Sequence, residues 1–130
     1  MSNENAGWPD ADEVERRLTV TEVGVRQDVV RVAVTGELDM GTAAVLHRRL
    51  CEIRGARPAG RLELDLSALG FCDLTGLRAL DALGRASSPA WCQVHIVAAG
   101  PSLDLLLDLC RMPRLLGYIP PSAHRDGAGL

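Results

Sequence analysis

Hydrophobic residues follow two different spacings along this chain, one typical of strands and one typical of helices. From Arg61 to Leu66 every second residue is a leucine, which predicts a strand with one buried face. From Leu77 to Ala86 the apolar residues recur three or four positions apart, which predicts an amphipathic helix. Between the two lies a short turn that ends in Asp73-Leu74-Thr75-Gly76. This strand, turn and helix make the clearest local pattern in the chain.

The same two spacings predict the other elements. Strands are expected at Leu18–Val25, Val29–Thr35, Cys92–Ala98 and Leu115–Ile119, and helices at Gly41–Ile53 and Leu103–Cys110. The first two strands are separated by a short polar turn and form a hairpin, whereas the later strands are separated by helices and become parallel neighbours. The predicted fold class is α/β: a small mixed sheet with an opening antiparallel hairpin, then parallel strands, packed with three to four helices.

Chain length and composition predict one domain without a membrane anchor. The 130 residues fit a single domain, expected at residues 18–119, with flexible tails at residues 1–17 and 120–130. Hydrophobic residues make up 47% of the chain but aromatic residues only 3%, so the core must be built from Leu, Val, Ala and Ile. The N-terminus is polar and acidic, unlike a signal peptide, and no apolar run approaches the roughly 20 residues that span a bilayer. A cytoplasmic location is expected.

Charge and cysteine usage narrow the function classes further. The net charge is −3 and no basic run is present, which argues against nucleic acid as a partner. The four cysteines form no Cys-x-x-Cys pair, so buried reduced thiols are expected rather than a zinc site. The histidines are dispersed and no glycine-rich nucleotide loop occurs, so no metal and no cofactor are predicted.

The turn residues around Thr75 allow two interpretations. Asp and Thr are common helix caps, and a purely structural role would need nothing more. Alternatively, a strand that delivers Thr75 to the first turn of a helix presents a hydroxyl where backbone N–H groups lack partners, and a phosphate there would meet donors and the positive end of the helix dipole. Gly76 would leave the neighbouring surface open to the backbone of a protein partner.

Two segments resemble the STAS domain of the anti-sigma factor antagonist family. Val32–Asp39 is similar to the family's strand that ends in Gly-Glu-Leu-Asp. Leu64–Leu77, with Asp-Leu-Ser and then Asp-Leu-Thr-Gly, resembles the family's Asp-Leu-Ser strand followed by Asp-Ser-(Ser/Thr)-Gly. The element order extends the resemblance over residues 18–119. Leu74 stands where many family members have serine, and the residue before the glycine is threonine rather than serine.

The resemblance implies a regulated binding protein rather than an enzyme. The family's phosphoacceptor corresponds to Thr75, and the implied partner-binding residues are Glu37, Asp39, Asp73, Leu74, Gly76, Leu77 and Arg78. The unmodified protein would bind an anti-sigma factor, a serine/threonine kinase with a histidine-kinase-like ATPase fold, and free the sigma factor. Phosphorylation would end binding, and a PP2C-type phosphatase would reverse it. A monomer or weak dimer is expected, without nucleic acid or membrane partners.

Two rival interpretations remain open. The first is a STAS scaffold whose Thr75 is never modified and which binds constitutively within a signalling assembly. The second is a cysteine phosphatase, because Cys72 and Arg78 have the Cys-x5-Arg spacing of that enzyme class. Phe71 stands where those enzymes have histidine, and Asp73 would raise the pKa of the thiol and repel an anion. The phosphatase interpretation is therefore the weaker of the two.

Overall fold

A five-stranded mixed sheet organises the part of the chain that the computed structural model describes, residues 17–57, 60–85 and 93–121. The elements in chain order are β1 (Leu18–Arg26), β2 (Val29–Leu38), α1 (Ala43–Ala56), β3 (Arg61–Leu66), β4 (Leu69–Cys72), α2 (Leu74–Arg85), β5 (Val94–Ala99) and α3 (Pro101–Leu109). The mixed α/β architecture with its opening hairpin confirms the predicted fold class. The predicted tails, apart from Arg17, Pro120 and Pro121, lie outside the described residues.

β2 is the central strand of the sheet. It pairs antiparallel with β1 on one side and parallel with β3 on the other, and β3 pairs parallel with β5. β4 pairs parallel with the last residues of β2, beyond the end of β3. The parallel strands β2 and β4 therefore end side by side, and the chain leaves both ends toward a helix.

One face of the sheet is buried by the helices. The alternating residues Leu62, Leu64 and Leu66 are fully buried, as the two-residue period predicts. They join buried residues of all three helices in one hydrophobic cluster. The opposite face is polar, and on it Glu63 forms ion pairs with Arg31 and Arg61, both at least partly exposed. The sheet thus has one covered face and one that carries charged side chains.

Three sequence predictions are wrong in detail. Residues 69–72 were expected to be part of a turn but form β4, which the two-residue period does not reveal because its inner residues are separated by Gly70 and Phe71. Residues 115–119 form no strand: Leu115 and Tyr118 bond each other across a tight turn, in which Leu116 and Gly117 have positive φ angles. Among the described cysteines only Cys72 is buried, whereas Cys51 and Cys110 are exposed.

No helix within the described ranges is both long enough and apolar enough to cross a membrane.

Candidate functional site

The candidate site lies where β2 and β4 end next to each other. Glu37 is in register with Phe71, and Leu38 is in register with Cys72. An aspartate follows each strand, and the Asp73 amide donates a hydrogen bond of 3.2 Å to the Leu38 carbonyl. This contact continues the strand pairing to the residue at which the chain turns into α2, so the start of the helix is anchored to β2.

Asp73 caps α2. Its side-chain carboxylate accepts a hydrogen bond of 2.9 Å from the Gly76 amide, and its carbonyl accepts one of 2.9 Å from the Leu77 amide. An acidic side chain that takes a first-turn amide is a common helix N-cap and also opposes the positive end of the helix dipole. The amides of Leu74 and Thr75 have no acceptor elsewhere in the described ranges.

Thr75 is the second residue of α2, and its side chain is exposed. Its hydroxyl makes no hydrogen bond within residues 17–57, 60–85 and 93–121. The oxygen therefore stands at a helix start, on the surface, and does not take part in the capping that Asp73 provides.

Gly76 does not have the role expected from the sequence. It is buried, and a Cβ at this position would stand 2.5 Å from the Leu38 carbonyl oxygen and 2.8 Å from the Leu38 Cγ. Glycine is thus required for the close approach of α2 to β2, and the expectation that it opens the surface beside Thr75 is wrong. Leu77 is only 2% exposed and packs in the core. These two residues hold the helix in place and do not form a contact surface.

The other predicted site residues on this helix are at the surface. Leu74 is the first residue of α2 and is 45% exposed, and Arg78 is exposed one turn further along. The structure therefore separates the predicted group into surface residues, Leu74, Thr75 and Arg78, and packing residues, Gly76 and Leu77.

Glu37 and Asp39, the predicted acidic pair, share one arginine of their own chain. The Arg17 guanidinium contacts a Glu37 carboxylate oxygen at 3.3 Å and also forms an ion pair with Asp39. The Glu37 side chain is 53% exposed and the Asp39 side chain only 18%. Sequence reasoning missed Arg17, which it assigned to the tail, because no local pattern shows that residue 17 lies beside residues 37 and 39.

Asp39 is bound within the loop that precedes α1. Its carboxylate accepts hydrogen bonds from the amides of Gly41 (2.8 Å) and Thr42 (3.2 Å). The Thr42 hydroxyl accepts from the Asp39 amide and donates to the Glu37 carbonyl, at 3.0 and 2.8 Å, and Thr42 is fully buried. Asp39 therefore acts as a turn-forming residue, and the expectation that it contacts a partner is not favoured by its burial.

Two exposed hydrophobic side chains near Thr75 were missed by the sequence reasoning. Met40 follows the end of β2 and is 80% exposed, and Phe71 in β4 is 46% exposed. With Leu74 they place three large apolar side chains on the segments that surround the end of β2 and β4. We call Met40, Phe71 and Leu74 the apolar ring. In the sequence these side chains are visible only as apolar residues in turn segments, and that pattern does not indicate whether they are buried or exposed.

Comparison with protein families gives a match over most of the chain. The family model described as "Mlab, STAS domain" matches residues 12–117. The chain belongs to this STAS family. Among solved structures it is similar to an anti-sigma factor antagonist from Mycobacterium paratuberculosis, with 28% sequence identity and a TM-score of 0.58. The match covers 73% of this chain and 79% of that one.

In this STAS domain the Cys72 thiol is unsuited to nucleophilic chemistry. Cys72 is 6% exposed, and its Sγ donates to the Asp73 carbonyl at 3.5 Å. Burial, and secondly the charge of Asp73, raise the pKa of the thiol to about 12. The thiolate required of a phosphatase nucleophile is therefore scarce at neutral pH, which argues against the cysteine-phosphatase interpretation.

No group of three or more potential metal ligands (His, Cys, Asp or Glu) occurs in the parts of this STAS domain that the structure describes.

Proposed function

We propose that this STAS domain is an anti-sigma factor antagonist whose binding surface is centred on Thr75. The observation that carries the proposal is the position of Thr75: an exposed hydroxyl in the first turn of a helix that Asp73 caps and Gly76 seats on β2. The similarity to a solved anti-sigma factor antagonist supports the same role. By this proposal the unmodified protein binds an anti-sigma factor, and the sigma factor is released.

The proposed contact surface combines apolar and charged groups. The apolar ring supplies exposed hydrophobic area, and Glu37 and Arg78 add charges of opposite sign beside it. Exposed apolar groups bordered by polar ones are typical of protein–protein contacts, where a few desolvated anchors carry most of the binding energy. Gly76, Leu77 and Asp39 support this surface from beneath.

Phosphorylation of Thr75 is the proposed off-switch. A phosphoryl group adds a charge of about −1.5 to −2 at neutral pH. Asp73, two residues earlier, already occupies the helix start with negative charge, so the added group is repelled as well as hydrated. A docked partner must then desolvate this charge. A loss of about 3 kcal/mol of binding free energy lowers affinity more than a hundredfold.

The proposed partners are those that the family resemblance implies. The anti-sigma factor is a serine/threonine kinase of the histidine-kinase-like ATPase class, which both binds the surface and modifies Thr75. A PP2C-type phosphatase removes the phosphoryl group and restores binding. The domain itself contributes no catalytic group to either step.

The test combines phosphorylation with binding. Incubation with the cognate kinase and ATP should add one phosphoryl group by intact mass, and Thr75→Ala should remove it. Thr75→Ala should bind the anti-sigma factor as tightly as the parent and stay bound in ATP, whereas Thr75→Glu should bind more weakly. Thr21→Ala, which changes an exposed threonine in β1, is the matched control and should behave as the parent. Equal binding by the Ala and Glu variants would contradict the switch.

A second candidate function is favoured by Leu74. A leucine, 45% exposed, stands directly before the hydroxyl and adds bulk beside it. The chain would then be a constitutive scaffold in a signalling assembly, bound through the apolar ring. Tight binding of the parent without any phosphorylation of Thr75 would support the scaffold, and Leu74→Ser, which restores the family's residue, should then weaken binding because the apolar ring loses one of its side chains.

A further inference from the structure

Arg17 occupies a position that the fold has shaped around it. Its backbone carbonyl lies against Gly36, whose φ angle is +104° and where any Cβ would overlap the Arg17 carbonyl oxygen. Its guanidinium lies over Gly41, where a Cβ would stand 3.0 Å from the Arg17 Nη1. Two glycines of β2 and the following loop thus make room for one residue, which indicates a defined place for Arg17 and not an incidental surface contact.

The two carboxylates that contact Arg17 are held differently. Asp39 is largely buried, accepts two loop amides and forms the closer ion pair. Glu37 is more than half exposed, and its contacts with Arg17 are long, at 3.3 and 3.4 Å. The Asp39 contact is therefore the anchor, and the Glu37 contact is the one that another cation can replace.

Glu37 lies between Arg17 and Phe71, one residue of the apolar ring. Leu18 is in register with Gly36 across the antiparallel pair, which places Arg17 beside Glu37 on that side. Phe71 is in register with Glu37 on the other side. The acidic group of the proposed contact surface thus has a counter-ion from its own chain, and Arg17 lowers the net negative charge of the Glu37 and Asp39 pair from −2 to −1.

We infer that Arg17 is an autoinhibitory contact: it competes with a basic group of the docking protein for Glu37 and so slows association. The inference rests on the proposed function and adds to it that the docking protein presents a basic group to Glu37, the exposed carboxylate of this surface. In the free domain Arg17 bridges both carboxylates. In the complex the partner's cation takes Glu37 while Arg17 remains on Asp39. Opposite charges at the edge of an interface act mainly on the association rate and its salt dependence.

The test is the association rate of the purified domain with its anti-sigma factor over a range of NaCl concentrations. Arg17→Gln should associate about two- to fivefold faster than the parent at low salt and lose rate more steeply as salt rises. Arg17→Lys, which keeps the charge, should behave as the parent. Arg26→Gln removes the same charge from an exposed position at the far end of β1 and should give a smaller gain.

A double variant assigns the effect to Glu37. Glu37→Gln alone should slow association, and in that background Arg17→Gln should bring no gain. If the parent binds and Arg17→Gln is no faster than the Arg26→Gln control, the inference is overturned while the proposed function stands. If the parent does not bind the anti-sigma factor at all, the proposed function fails and the inference with it. Melting curves show that each variant is folded before its rate is compared, and Glu37→Gln alone, which leaves Arg17 on Asp39, decides if Arg17→Gln is not folded: unchanged association of Glu37→Gln would overturn the inference.

Discussion

The segments at the ends of β2 and β4 have a similar sequence pattern, except that glycine and threonine exchange places in their last two positions. From Gly36 to Thr42 and from Gly70 to Gly76, each segment runs from a glycine through a buried apolar residue to an aspartate and then an apolar residue. The strand register aligns Glu37 with Phe71 and Leu38 with Cys72, whereas Gly36 pairs with Leu69. The last two positions differ in order only: Gly-Thr before α1 and Thr-Gly before α2.

This exchange decides what each threonine does. The third position after the aspartate is buried in both segments, and the second is exposed in both. Thr42, at the buried position, is bound to Asp39 and Glu37, whereas Thr75, at the exposed position, projects to the surface. The same residue types at two helix starts thus give a structural hydroxyl in one case and an accessible one in the other, and burial by the neighbouring strand makes the difference.

The largest effect is expected where α2 is seated on β2. Gly76→Ala should lower the free energy of unfolding by about 2 to 3 kcal/mol, because the new Cβ collides with the backbone of Leu38. Chemical denaturation measures it. Gly55→Ala, in α1 where a Cβ meets nothing within 4 Å, is the matched control and should be neutral or stabilising. A tolerated Gly76→Ala would mean that α2 does not pack as closely on Leu38 of β2 as the structure indicates.

The two threonines should differ clearly in stability. Thr42→Val keeps the shape but leaves the Asp39 amide and the Glu37 carbonyl without their partner, so a loss of about 1 to 3 kcal/mol is expected. Thr75→Val should change the free energy of unfolding by less than about 0.5 kcal/mol. Thermal or urea unfolding of both variants tests the comparison directly. Similar losses at the two sites would contradict it.

The sequence predicted the framework of the domain well. The leucines of β3 alternate over their whole length, and α1, α2 and α3 have apolar residues at helical spacing, so burial followed from local pattern alone. β4 was missed because its four residues are too few for a period to be visible. The strand predicted at residues 115–119 was wrong because the chain turns at Leu116 and Gly117, which have positive φ angles. The apolar composition of this segment gives no indication of that turn.

The candidate site was only partly predictable, for a different reason. A motif placed Thr75 at a helix start, but the role of Gly76 depends on Leu38, which is distant in sequence. The position of Arg17 beside Glu37 depends likewise on strand pairing. Contacts of this kind depend on which residues the strand pairing brings together, so they cannot be predicted from the spacing of residues within one segment.

A smaller loss is expected at the cap of α2. Asp73→Ala should lower the free energy of unfolding by about 1 kcal/mol, because the Gly76 amide loses its acceptor. Asp73→Asn keeps an acceptor oxygen and should cost less. Urea unfolding of the two variants compares them. If Asp73→Ala has no effect, the carboxylate does not cap the helix, and the resemblance to Asp39 is limited to sequence.

The smallest effect near neutral pH is expected at Cys72, the residue in register with Leu38. At pH 8, iodoacetamide should modify exposed Cys51 and Cys110 and leave Cys72 intact in the folded domain, as peptide mass analysis would reveal. Because the pKa of Cys72 is raised to about 12 from 9.0, its protonated form stabilises the fold below pH 9, and this contribution is lost as pH rises from 9 toward 12. The Cys72→Ala variant has no thiol at this position, so it should lose less stability than the parent as the pH rises from 9 toward 12. Rapid alkylation of Cys72 would instead indicate that the end of β4 opens.

The contact between Gly76 and Leu38 beneath the start of α2 has a consequence for how a change at Thr75 could affect the rest of the domain. The Gly76 backbone packs directly against the backbone and the side chain of Leu38, so a tilt of α2 toward β2 would bring closely packed atoms into overlap. The proposed phosphoryl group on Thr75 is therefore expected to leave the position of α2 unchanged. Its effect would then depend on the partner protein that contacts this surface.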